Sequence, residues 1–186
     1  MNIKKILLVS FFVVTTTLLL ASEFGKDITA SMQKYGIPKP LIVILISMLP
    51  IVELRGAIPI AIGLLGMDWW EAAMYAILGN MIPIPFILLL MGWFTDLLGK
   101  WSVTDKFLKW LFARTRRKGK LIERYEEVGL TLFIAVPLPI TGAWTGSLAA
   151  HIFGLKFWKS LACAFAGVLI ASVIVTLLTV GIDAIV

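Results

Sequence analysis

The sequence predicts an all-α integral membrane protein: two inverted repeats, each a re-entrant helical hairpin followed by a transmembrane helix, joined by a basic amphipathic helix. Three observations predict it. First, 60% of the 186 residues are hydrophobic and only 15% are charged, more apolar surface than a soluble domain of this size can hide. Second, two apolar stretches are each interrupted by a proline- and glycine-containing break. Third, the acids Asp68 and Glu71 follow the first stretch while basic residues fill 100–124 and recur at Lys156 and Lys159, a distribution that hairpin topology reconciles with basic segments facing the cytoplasm.

Residues 1–22 open with Lys4-Lys5 and continue as an apolar run from Ile6 to Leu20. They read as a signal peptide or a first transmembrane helix, and both readings put the next residues on the external side. Residues 23–40 are polar, contain Gly25, Gly36, Pro38 and Pro40, and form an external linker or short external helix. The remainder, 41–186, is one transporter-like membrane domain: a first repeat over 41–99, an amphipathic cytoplasmic segment over 100–127 and a second repeat over 128–186.

Leu41–Gly66 is the first interrupted stretch. It carries two charges, Glu53 and Arg55, inside the segment Pro50-Ile51-Val52-Glu53-Leu54-Arg55-Gly56-Ala57-Ile58-Pro59. Nine residues precede the break and ten come after it, so each half is only about 14–15 Å long, roughly half a hydrocarbon core. Two half-helices can enter and leave on one side; the alternative is a single span kinked by proline. Met67–Glu71 has the tryptophans and acids of an interface. Ala72–Leu98 is a span kinked by Pro83 and Pro85. Lys100–Arg124 then holds nine of the 17 basic residues, with apolar residues at partial helical spacing, and is expected to lie on anionic headgroups. This accounts for the net charge of +6 without nucleic acid.

Val128–Gly154 is the second interrupted stretch, broken at Val136-Pro137-Leu138-Pro139 and Thr141-Gly142-Ala143-Trp144-Thr145-Gly146-Ser147. Ser160–Val186 is the last span, rich in small residues suited to close helix contact. The two halves resemble each other: Gly66-Met67-Asp68-Trp69-Trp70-Glu71 aligns with Gly154-Leu155-Lys156-Phe157-Trp158-Lys159, and Gly79 then falls opposite Gly167. If the first stretch crossed fully, the basic segment would lie outside; if both stretches are re-entrant, every basic segment lies inside. Hence the first unit opens outward and the second inward, a recurrent transporter design.

A charge at membrane depth is costly and marks a functional site. The candidate substrate and proton-coupling residues are Glu53, Arg55, Gly56 and Pro59 in the first break, with Pro139, Thr141, Gly142 and Thr145 in the second. Arg55 offers fork geometry for phosphate or carboxylate. Glu53 is the candidate proton carrier. Helix N-termini at Gly56–Pro59 and Thr141–Thr145 offer anion sites. The bland alternative is an ion pair that locks two helices. His151 reads as a relay member or a simple interfacial histidine. No hydrolase, phosphate-loop or zinc motif is present, so neither an enzyme, a cofactor nor a metal site is expected; a homo-oligomer is left open.

At Glu53-Leu54-Arg55-Gly56-Ala57-Ile58-Pro59 and at Pro137–Ser147 the chain resembles the small multi-drug export proteins, a bacterial and archaeal family, from about Leu41 onward. That family looks related to the wider DedA superfamily, with paired re-entrant hairpins and, for some members, lipid or polyprenyl-phosphate substrates. The resemblance implies a multi-pass inner-membrane exporter of an amphipathic or anionic-lipid-like substrate, with Glu53 and Arg55 at its site. A non-transporting scaffold that organises lipid is the other class.

Overall fold

A computed structural model describes residues 25–99, 126–136 and 141–183. The apolar run of 1–22, the basic segment Lys100–Arg124, and Pro137 and Pro139 lie outside the described residues. Regular structure in the described residues is helical throughout. Helix α1 covers 25–34. After it come α2 (Lys39–Ser47), α3 (Glu53–Gly63), α4 (Trp69–Met81), α5 (Pro83–Gly99), α6 (Glu126–Ala135), α7 (Ala143–Ile152) and α8 (Phe157–Asp183).

Two lengths of helix recur in order. Helices α2, α3, α6 and α7 have 9, 11, 10 and 10 residues, about 14–17 Å each and too short to cross a bilayer. Trp69–Met91, which runs from α4 into α5, and Phe157–Gly181 in α8 are long and apolar enough to cross. Only 22% and 44% of their apolar windows are buried within the chain, unlike the core helix of a soluble protein. Phe86, Leu89, Leu90 and Trp93 on α5, and Leu169, Val173, Leu177 and Leu178 on α8, are exposed. Water would not tolerate so large an apolar surface, whereas lipid does. The chain is a membrane protein.

Local chemistry explains the boundaries. Pro38 sets an extended N-cap for α2 and Asp68 one for α4. Pro83 and Pro85 lack the N–H groups that would close on the α4 carbonyls, so the helix is interrupted at Ile82. Helices α3 and α7 both run out into a glycine of positive φ, Gly66 at 60° and Gly154 at 72°, the left-handed residue that ends helices.

Each long helix then packs on the first short helix of its own half through a glycine. A Cβ on Gly79 would collide with the Ile44 backbone, and one on Gly167 with Ile134 and the Thr131 carbonyl. Backbones approach this closely only where no side chain intervenes. Ser47 Oγ adds a buried bond to the Ala76 carbonyl, 2.6 Å. Ala76 lies seven residues into α4, roughly 10 Å from its start, and Gly167 ten residues into α8, roughly 15 Å. Lys159, near the start of α8, contacts Glu127, near the start of α6, at 2.5 Å, so these two helices begin at one level. The α1 helix is packed down too: Thr29 is buried, and Gly25 faces Ile60 and Val52 of the first short pair.

Candidate functional site

The two breaks meet, and Glu53 and Arg55 are the residues that join them. Glu53 is the first residue of α3 and has φ 48°, a left-handed conformation that glutamate rarely adopts and that costs about 1–3 kcal/mol. Its side chain is 7% exposed. Oε1 accepts a hydrogen bond from the Trp144 backbone N–H at 3.4 Å. Trp144 is the second residue of α7, whose N-cap is Gly142, a residue with no side chain to supply. The opening N–H groups of a helix need an acceptor, and an N-cap side chain usually serves N2 or N3. Here the acceptor arrives from 91 positions away. The carboxylate occupies the space where a Gly142 Cβ would stand, which makes glycine a steric requirement at this N-cap.

Arg55 serves the opposite end. Nη2 donates to the Ile134 carbonyl at 3.1 Å and to the Val136 carbonyl at 3.2 Å. Nη1 donates to the Thr141 carbonyl and lies 3.5 Å from the Thr141 hydroxyl oxygen. Ile134 and Val136 lie at the C-terminal end of α6, where the last four carbonyls have no helical partner. The Thr141 hydroxyl itself donates to the Val136 carbonyl, 2.9 Å. Thus an anion sits at the positive N-terminus of α7 and a cation at the negative C-terminus of α6. Each macrodipole interaction of this kind contributes typically about 0.3–1 kcal/mol, more when partly buried. The second break has no charge of its own because the first break supplies both. The two charges also attract each other.

The family whose model matches residues 53–174 is described as "Putative small multi-drug export protein". The chain belongs to that family. The match begins at Glu53 and takes in Arg55, Thr141, Gly142 and Trp144, so the matched segment spans both sides of the clasp. It names this family and says nothing of the wider DedA superfamily. No curated protein and no solved structure matches the chain.

The other sequence-predicted residues of this small multi-drug export family member divide into two groups. Thr141 and Gly142 are in the clasp with Glu53 and Arg55. Gly56 is buried one turn into α3, with its N–H bonded to the Val52 carbonyl at 2.9 Å. Pro59 lies within α3, where it lacks the N–H that would close on the carbonyl four residues back. Thr145 Oγ1 donates to the Gly142 carbonyl at 3.4 Å, and Ser147 Oγ to the Ala143 carbonyl at 2.7 Å, so both hydroxyls engage local backbone. His151 is in the last turn of α7. Pro139 lies outside the described residues. The Trp144 N–H falls in the Thr141–Thr145 helix N-terminus that the sequence offers as an anion site, and the anion it meets is Glu53; the sequence alone does not single out Ile134 and Val136. Their contribution is backbone, which no side-chain motif records; the surrounding proline break is the one available signal.

Proposed function

We propose that this chain is a multi-pass exporter of the inner membrane that moves a small amphipathic or anionic-lipid-like molecule past the clasp of Glu53 and Arg55. Its two short-helix pairs are re-entrant hairpins, the first entered from outside and the second from the cytoplasm, and the two repeats are inverted. Supporting this are the shared order of short and long helices, the levels of the breaks along α4 and α8, and the level start of α6 and α8. The observation that carries the functional reading is the clasp itself, in which one buried and one half-buried charge of one break hold both helix ends of the other.

Opening a path between two such breaks requires the Glu53–Trp144 contact or the Arg55 contacts to be exchanged for something else. A proton on Glu53 removes the negative charge drawn to the α7 N-terminus, and a substrate anion can take over the Arg55 fork. Proton uptake and substrate entry are therefore coupled through one clasp. The basic segment Lys100–Arg124 would rest on anionic headgroups, and the chain acts as a carrier with no enzymatic role.

The test is flux in proteoliposomes. Glu53→Gln and Arg55→Lys are expected to fold, as read by monodisperse elution and a cooperative melt, and to lose proton-driven efflux of a fluorescent amphipathic cation or a labelled lipid phosphate. If both variants move either probe as the parent does, the reading is wrong. The same contacts also describe a static lock, and this favours the scaffold class as the second reading. In that case the parent itself shows no flux, and the two substitutions change thermal stability alone.

A further inference from the structure

The turn between α2 and α3 is almost a helix. The Glu53 N–H bonds the Leu49 carbonyl and the Gly56 N–H the Val52 carbonyl, each at 2.9 Å. Both reach four residues back, as α-helical bonds do. Val52 between them is right-handed, with φ −86° and ψ −52°. Pro50 stands where a helix starting at this turn would have its first residue. Proline favours that position, because the N–H it lacks has no helical partner there. Glutamate is itself a good helix former. Local chemistry therefore favours one helix running from Pro50 to Gly63.

Glu53 departs from it. Its φ of 48° breaks the helical path, and α3 starts at Glu53 instead of Pro50. Strain of this kind persists only where the surroundings impose it. Here they are the α7 N-terminus: the carboxylate fills the place of a Gly142 Cβ and accepts from the Trp144 N–H at 3.4 Å. On the other side of Glu53, Pro50 and Ile51 are exposed. The strained residue is thus gripped through its side chain, while the tip of the turn is uncovered among the described residues.

We propose that Glu53 is a two-state backbone switch. Seated against Gly142 and Trp144, it is left-handed and α3 starts at residue 53. Unseated, it returns to the right-handed region, α3 gains a turn back to Pro50, and the tip of the first break swings relative to α3. A change at the α7 N-terminus is thereby converted into a change of shape in the other half of the chain. The switch rests on the clasp contacts and not on the transport reading.

The test measures φ at residue 53 by solid-state NMR of the full chain in lipid bilayers. The Val–Glu step at 52–53 occurs once in the chain, so labelling that pair isolates it, and no Val–Ala step occurs elsewhere. The parent should show a positive φ. Glu53→Ala removes the carboxylate, and alanine disfavours the left-handed region by roughly five- to thirty-fold in population. Its φ should fall to about −63°. Gly142→Val places methyl groups where the carboxylate lies and keeps glutamate at 53, whose φ should also turn negative. A negative φ in the parent, or a positive φ that survives either substitution, would overturn the proposal. None of these readings involves flux, so a chain that moves no probe in proteoliposomes can still pass this test.

Discussion

Gly142→Ala tests the clasp without touching a charge. Gly142 has φ 174°, an extended backbone open to alanine, so the added methyl introduces no backbone strain. It would, however, stand 2.7 Å from the Glu53 carboxyl carbon, well inside van der Waals contact. Overpacking of this kind costs about 1–3 kcal/mol, and relief would lengthen a Glu53–Trp144 contact that is already 3.4 Å. For a chain of this length that loss lowers the melting temperature by about 2–4 °C per kcal/mol. Glu53→Ala removes the obstructing carboxylate but leaves the half-buried Arg55 with less compensation, a loss smaller than the about 3–5 kcal/mol of a broken, fully buried pair. On that background Gly142→Ala meets no obstacle and should cost under about 0.5 kcal/mol. A four-member cycle, melted in one detergent, should return a coupling of about 1–3 kcal/mol. Additive losses would mean that Glu53 does not lie against Gly142, and the clasp would have to be abandoned.

Three further outcomes rest on the same contacts. Arg55→Lys keeps the charge but cannot span the Ile134, Val136 and Thr141 carbonyls with a planar fork; it should retain less than half of the stability lost in Arg55→Ala, read by the same melts. Gly79→Ala should destabilise more than Gly142→Ala, because its Cβ would meet the Ile44 backbone, with Ile44 Cα at 2.8 Å, and a helix yields less readily than a side chain; a loss of about 3 kcal/mol or more is expected from chemical denaturation. Lys159→Met should change stability by less than about 1 kcal/mol, since both partners of the Glu127 ion pair are more than half exposed and such pairs contribute little. A larger effect of Lys159→Met at high salt than at low would contradict this.

What could be read from the sequence was set by cost. Charges in an apolar run are expensive, so Glu53 and Arg55 stood out, and prolines near mid-stretch marked where short helices end. Glycine ended α3 and α7 as its conformational freedom requires, and the Gly79–Gly167 correspondence reappears as matched helix contacts. The partners of the charges were legible only in part: the Thr141–Thr145 helix N-terminus stood out as an anion site, but not that Glu53 fills it. They are the Ile134 and Val136 carbonyls and the Trp144 N–H, groups that every residue but proline has in full. The left-handed backbone at Glu53 also has no sequence signature, because tertiary contacts and not the residue's own preference impose it. The sequence offers, as the bland role of these charges, an ion pair that locks two helices. In the structure both reach across to the other half, and the uncharged second break is explained by that reach.

The most direct test of the account is sidedness of labelling in intact cells and inverted vesicles, with Cys163, the one cysteine, replaced by serine. Single cysteines go at Leu41, Trp70, Val128 and Trp158, all exposed side chains at the ends of the short-helix pairs. Two hairpins meeting tip to tip predict that a membrane-impermeant maleimide reaches positions 41 and 70 from outside and positions 128 and 158 from the cytoplasm. Positions 41 and 70 labelling from opposite sides would make the first pair a kinked span, and the paired-hairpin account of the clasp would be contradicted.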